Sequence, residues 1–244
     1  MPQSAFSGIM HDMCGRYSLT TPVEAIRALF GFDALPNLAP RYNIAPTQQA
    51  PVIRLAKTGG DGARDLAMMR WGLIPGWSKG PDTRFSMVNA RAETVAEKPA
   101  YRGAYRHRRC LVPADGFYEW QKRDGSKQPW RITVTDQEVF AFAGLWESWH
   151  GDDGTPAITS FTILTTSAND LLRPIHDRMP IILHAADHQR WLAGAEPAAL
   201  LAPYPSTPMA TLAIGARINS PRHDDPACIT PLDTSPDPSG APGI

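Results

Sequence analysis

A β-rich α+β fold in a single domain, spanning about residues 14–233, is what the sequence predicts, on three observations. The chain carries 24 prolines and 19 glycines, punctuation that suits short strands and many turns better than long helices. Apolar residues make up 43% of the chain, enough for a sizeable core. They fall largely in strand-length runs between turn residues, with no internal repeat and no clear linker.

Element by element, Thr21-Pro22-Val23-Glu24 reads as a capping box with proline at the first helical position. Ile26, Leu29 and Phe30 follow at helical spacing, so a short helix is expected over about 22–30. Residues 33–49, with Pro36, Pro40 and Pro46, read as a wrapping loop. Strands are expected at Val52–Leu55 and Leu66–Leu73, and the arginine- and aromatic-rich stretch from Pro75 to Arg109 reads as irregular. Further strands are expected at Cys110–Pro113, Gly116–Gln121, Trp130–Thr135, Val139–Trp146, Phe161–Thr166 and Met179–Leu183. Arg123-Asp124-Gly125 and Gly151-Asp152-Asp153-Gly154 supply turn tips. A helix starts at Asp187–Leu192, a further turn fits Glu196–Leu201, and the Pro-, Ser- and Gly-rich residues 234–244 read as a disordered tail.

Bulk properties exclude several classes. No run approaches the roughly 18 apolar residues of a membrane helix. The opening MPQSAFSGIMHDM lacks the basic region and long apolar stretch of a secretory signal. Cys14, Cys110 and Cys228 form neither a disulfide framework nor a metal pattern, which points to a reducing cytoplasm. Net charge is zero, but unevenly spread: Arg64 to Arg131 holds 14 Lys or Arg against 7 Asp or Glu, the rest 10 against 17. Arginine, at 19 to 5 lysines, is the cation that grips phosphate with a planar fork. Ordinary surface charge is the competing explanation.

Four islands can carry chemistry. Met13-Cys14-Gly15-Arg16 offers a methionine directly before a cysteine, a possible translation start. Were Cys14 N-terminal, an amine titrating near ~8 and a thiol near ~8.5 would sit on adjacent carbons. The amine condenses with an aldehyde, and the thiol closes on the imine to a five-membered thiazolidine. An internal cysteine cannot do this. In Asn89-Ala90-Arg91-Ala92-Glu93, Asn89 can hold an amine and Arg91 a phosphate; a plain turn with a surface arginine is the alternative.

On a strand from Gly116, Phe117 and Glu119 share one face while Tyr118 and Trp120 share the other. A carboxylate there whose pKa burial raises suits proton transfer, unless an arginine simply pairs with it. In Pro174-Ile175-His176-Asp177-Arg178, His176 can act as acid or base and Arg178 can face phosphate, unless a local His-Asp turn accounts for both. Trp77, at the tip of Trp71-Gly72-Leu73-Ile74-Pro75-Gly76-Trp77, is a candidate base-stacking platform, whereas Trp71 fits the core. The remaining histidines, His11, His107, His150, His184, His188 and His223, show no ligand spacing, so no metal is expected.

These pieces together resemble the SOS response-associated peptidase family of abasic-site processing proteins. The matching segments are MCGRYSL at 13–19, RYNIAPTQ at 41–48, MRWGLIPGW at 69–77, NARAET at 89–94, RRCLVPADGFYEWQ at 108–121, FAGLWESW at 142–149 and ILTTSANDLLRPIHDRMPIIL at 163–183. The resemblance implies a curved, barrel-like β arrangement with a few short peripheral helices and a basic groove. It implies covalent linkage of Cys14, as N-terminal residue, to the sugar aldehyde of an abasic site in single-stranded DNA. By the same resemblance Asn89 positions the amine, Glu119 handles protons and removes the leader, and His176 assists ring opening or the Schiff-base steps. Arg16, Arg91 and Arg178 would hold phosphates, and Asn43, Pro46, Trp77 and Thr165 would line the DNA path.

Two departures stand out: residues 1–13 form a leader that blocks the chemistry unless absent or removed, and Ser78 follows Trp77 where some relatives carry a second aromatic. The reading calls for no cofactor, no metal and no membrane, and for a monomer in the cytoplasm, at the nucleoid when on DNA. A thiol peptidase acting on other proteins and a non-covalent single-strand binder are the rival functions. Peptide turnover would mark the first, and indifference to Cys14→Ala the second.

Overall fold

Short strands dominate, as the proline and glycine content requires. The computed structural model describes residues 15–58, 60, 62–81, 87–151 and 154–232. Residues 1–13, Cys14, the Asp152-Asp153 tip and the 234–244 tail lie outside the described residues. The elements run β1 (Tyr17–Leu19), α1 (Val23–Phe30), β2 (Arg41–Ile44), β3 (Gln49–Leu55), β4 (Arg64–Trp71), β5 (Asn89–Arg91), α2 (Arg102–His107) and β6 (Arg109–Ala114). They continue with β7 (Gly116–Arg123), β8 (Ser126–Val134), β9 (Phe140–Trp149), β10 (Ile158–Ser167), β11 (Arg178–Pro180), β12 (Ile182–Leu183), α3 (His188–Ala193) and β13 (Met209–Ala213).

Five strands close on themselves. β4 pairs β3, β3 pairs β6, β6 pairs β9 and β9 pairs β10, all antiparallel. β10 then returns to β4 in parallel, Phe161 opposite Trp71, and the ring is complete. A second, wholly antiparallel sheet runs β13-β8-β7-β1-β2. The expected barrel-like β arrangement with few short helices is what the chain forms.

Alternation along β7 joins the two sheets. Phe117 packs inward, its ring 5.8 Å from Phe142 of the barrel. Tyr17 of β1 meets Trp71 at 5.1 Å and Phe142 at 5.9 Å, edge-on. Edge-to-face pairs of this kind add about 0.5–1.5 kcal/mol beyond their buried area. Tyr118, on the opposite face, joins Ile214, Ile218 and Cys228 in a smaller cluster under the C-terminal segment. The β7–β8 hairpin turns at Asp124-Gly125, both in the left-handed region (φ 37° and 80°), as a two-residue turn demands.

Several expectations need correction. Thr21 does not cap α1; its hydroxyl donates to the Glu138 carbonyl, and Pro22 precedes the helix with no side-chain cap. The loop expected over 33–49 contains β2, and the irregular stretch from Pro75 to Arg109 contains β5 and α2. Met179–Leu183 is two strands, because Arg178–Pro180 pairs β10 while Ile182–Leu183 pairs β9. The strand Met209–Ala213 was not expected at all.

Candidate functional site

The far end of β10 gathers one group of candidates. β5 lies parallel to it, with Asn89 opposite Ile163 and Arg91 opposite Thr165. On the other edge β11 sets Pro180 opposite Thr165 and Arg178 opposite Ser167. Thr165 is buried, and its carbonyl accepts both the Ala92 N–H at 2.9 Å and Arg178 Nη2 at 2.7 Å. Arg91 is exposed. The Tyr101 hydroxyl reaches the Asn89 carbonyl at 3.4 Å, and burial pushes its pKa up to about 12, so it stays a donor.

His176 stands two residues before Arg178. Its Nδ1 accepts the Arg178 main-chain N–H at 3.0 Å and lies 3.1 Å from Asp177 Oδ1. The local His-Asp turn and the His176–Arg178 pairing therefore exist together.

A second group sits on the antiparallel sheet. Glu119 is buried, at 3% exposure, on the Phe117 face of β7. Arg16 lends its carbonyl to the Tyr118 N–H at 3.1 Å, just before β1. Its guanidinium donates to Asn43 Oδ1 at 3.0 Å and to the Ile218 carbonyl at 2.9 Å, and burial lowers its pKa. Asn43 is wholly buried, and its Nδ2 donates to the carbonyls of Ser220 and His223 at 3.0 and 2.8 Å. The structure thus gives Asn43 a fastening task, binding β2 to the C-terminal segment, rather than an open place along a DNA path. Arg16 shares that task.

A hydrogen bond links the two groups. Gln121 Nε2, two residues past Glu119 on β7, donates to the Pro174 carbonyl at 2.9 Å and ties the His176 loop to β7. The two remaining candidates sit on loops at one strand end. The Thr47 N–H bonds the Trp71 carbonyl at 2.8 Å, anchoring the half-buried Pro46 loop. Beyond Gly72, whose φ of 115° ends β4, the chain rises to Trp77, 71% exposed. Trp149 Nε1 donates to the Ser78 carbonyl at 2.8 Å and holds that loop in place. Among the described residues no group of three His, Cys, Asp or Glu is arranged to hold a metal.

The family model described as SOS response associated peptidase (SRAP) matches residues 13–221. The chain belongs to the SRAP family. Among SRAP relatives it is 39% identical over 226 residues to the abasic site processing protein YoqW of Bacillus subtilis, covering 89% of this chain and 99% of that one. It is 31% identical to the abasic site processing protein HMCES of Xenopus tropicalis over 263 residues, covering 90% of this chain and 78% of that one. A crystal structure of a Bacteroides thetaiotaomicron protein superimposes with a TM-score of 0.80 at 28% identity, covering 90% of this chain and all of the other.

Within this SRAP chain, sequence reasoning overlooked two residues. Gln121 closes the RRCLVPADGFYEWQ segment, but its bond to Pro174 spans 53 residues and leaves no local trace. Glu93 lies inside NARAET, but its bond to Arg178 spans 85 residues and leaves no local trace.

Proposed function

We propose that this chain processes abasic sites in single-stranded DNA by trapping the ring-opened sugar through Cys14. The supporting observation is a register. Tyr17 pairs Phe117 and Ser18 pairs Gly116, so continuing β1 outward sets Gly15 opposite Glu119, beside the loop that Gln121 ties down. One peptide unit, about 3.8 Å between Cα atoms, separates Gly15 from the residue before it. This reading requires a nucleophile within reach of that buried carboxylate and of His176. Relatives at 39% and 31% identity bear the name abasic site processing protein, which supports the same substrate.

The chemistry balances without a cofactor. The Cys14 amine attacks the aldehyde carbon, the carbinolamine loses water to an imine, and the thiol adds across it, its proton passing to nitrogen. One water leaves in all. Glu119 and His176 shuttle protons at the attacking amine and the sugar oxygen, while Asn89 orients the amine. Arg91 and Arg178 hold flanking phosphates, Pro46 and Trp77 offer apolar surfaces to bases, and Thr165 sets the guanidinium of Arg178. Arg16 and Asn43 brace β1 and β2 from beneath. Loss of residues 1–13, by a start at Met13 with removal of that methionine or by cleavage before Cys14, comes first.

The test pairs a Cys14-started protein with a single-stranded oligonucleotide carrying one abasic site. A shifted band on a denaturing gel is expected, absent with Cys14→Ala and with undamaged DNA. No band, or one indifferent to Cys14→Ala, overturns the reading.

A further inference from the structure

Arg178 is already engaged. Its Nη1 and Nη2 donate to the two carboxylate oxygens of Glu93, each at 2.9 Å, in the parallel fork with which arginine also grips phosphate. Nη2 also donates to the Thr165 carbonyl at 2.7 Å, and Nε points at Thr165 Oγ1 at 3.4 Å. A guanidinium has five N–H donors. Among the described residues, a single Nη1–H remains after these contacts.

The geometry is layered. The Arg178 side chain is 13% exposed and that of Glu93 is 52% exposed, so an anion arriving from solvent meets the carboxylate first. Arg178, and more weakly Arg91, hold the Glu93 carboxyl below its ordinary pKa, so it remains an anion at any pH suited to DNA binding.

We propose that Glu93 is a resident phosphate mimic, which occupies the Arg178 fork in the free protein and must be exchanged for a DNA phosphate on binding. This rests on the reading that Arg178 serves DNA. An ion pair with one partner half in water is weak enough to exchange. Thr165, underneath, keeps the guanidinium aimed while its outer partner changes. Glu93 thereby sets how tightly the protein holds a strand before any covalent step, and disfavours anions that cannot present two oxygens to the fork.

The experiment measures equilibrium affinity for an undamaged single-stranded oligonucleotide by fluorescence anisotropy. It uses the full chain carrying Cys14→Ala, so that no covalent step intervenes. Glu93→Gln, close to isosteric on an exposed side chain, is expected to tighten binding roughly fivefold, the worth of an exposed ion pair. In an Arg178→Gln background the same substitution should change affinity by less than about 1.5-fold, because no fork remains to release. Equal gains in both backgrounds would mean that only long-range charge acts and would overturn the proposal. So would weaker binding by Glu93→Gln, which would make Glu93 a brace for Arg178. If none of the proteins binds the strand, the DNA reading itself fails. If they bind and Glu93→Gln is silent, only the exchange fails.

Discussion

His176 Nδ1 sits between two competing partners, the Arg178 N–H at 3.0 Å and Asp177 Oδ1 at 3.1 Å. Accepting the N–H needs a lone pair on Nδ1, so the neutral ring carries its proton on Nε2. Nitrogen-15 NMR at pH 8 should therefore report the Nε2–H tautomer. His176→Asn, which keeps an acceptor near Nδ1 but loses Nε2, should slow crosslinking by roughly 100-fold or more while leaving strand affinity within about twofold. A Nδ1–H tautomer at pH 8 would contradict this arrangement.

The two tryptophans of the 69–77 segment should behave oppositely. Trp71 is fully buried against Tyr17 and Phe161, and Trp71→Ala should cost about 3–5 kcal/mol of stability. Trp77 is 71% exposed, and Trp77→Ala should alter stability by less than about 0.5 kcal/mol. It should nonetheless weaken strand binding by about 1–3 kcal/mol. Denaturant midpoints and anisotropy titrations separate the two effects, and a Trp77→Ala protein that binds normally would remove the stacking role.

Acid sensitivity has a specific source in His188. The ring is buried, stacked on Phe30 at 5.2 Å, and its Nε2 has no partner among the described residues. Burial first, then Arg64, pushes its pKa down to about 4. Above the unfolded value of about 6.5 the ring is neutral in both states and adds no pH dependence. As pH falls from there toward 4, the unfolded chain takes a proton that the folded one refuses, and stability drops by on the order of 3 kcal/mol. His188→Phe should flatten that part of the stability–pH profile. Parallel profiles for the two proteins would show that the ring titrates freely.

Thiol chemistry should be confined to one position. Cys110 is fully buried, burial pushes its thiol pKa up, and a Cβ at Gly144 would lie 2.9 Å from its sulfur, so no room surrounds it. Cys228 is 1% exposed. Alkylation of a native Cys14-started protein should add one label, at Cys14, and denaturant should expose the other two. Early labelling of Cys110 would show that the barrel opens more readily than its packing implies.

Much of this was legible in the sequence where a local rule was at work. Alternation placed Phe117 and Glu119 on one face and Tyr118 on the other, and the Asp-Gly tip marked the β7–β8 turn. The glycine-proline punctuation separated a core Trp71 from an exposed Trp77. What escaped notice was too short or too distant. β5 has three residues, fewer than alternation needs to show, and exists because β10 offers it an edge. α2, six residues long, falls below the length at which helical periodicity can be read. The fastening by Asn43 left no local trace because the carbonyls of Ser220 and His223 that satisfy it come from the far end of the chain.

Ring closure also governs when the protein can begin to work. Trp71 finds its parallel neighbour only when Phe161 has been synthesised, and Arg91 finds Thr165 a few residues later. At a ribosomal pace of about 5–20 residues per second, β4 waits on the order of ten seconds for β10. A nascent chain stopped short of Ile158 has apolar strands but neither a closed ring nor the β10 edges on which β5 and β11 pair. Whatever the completed site does is thus withheld from incomplete copies and arrives late in biogenesis, with the strand that completes the barrel.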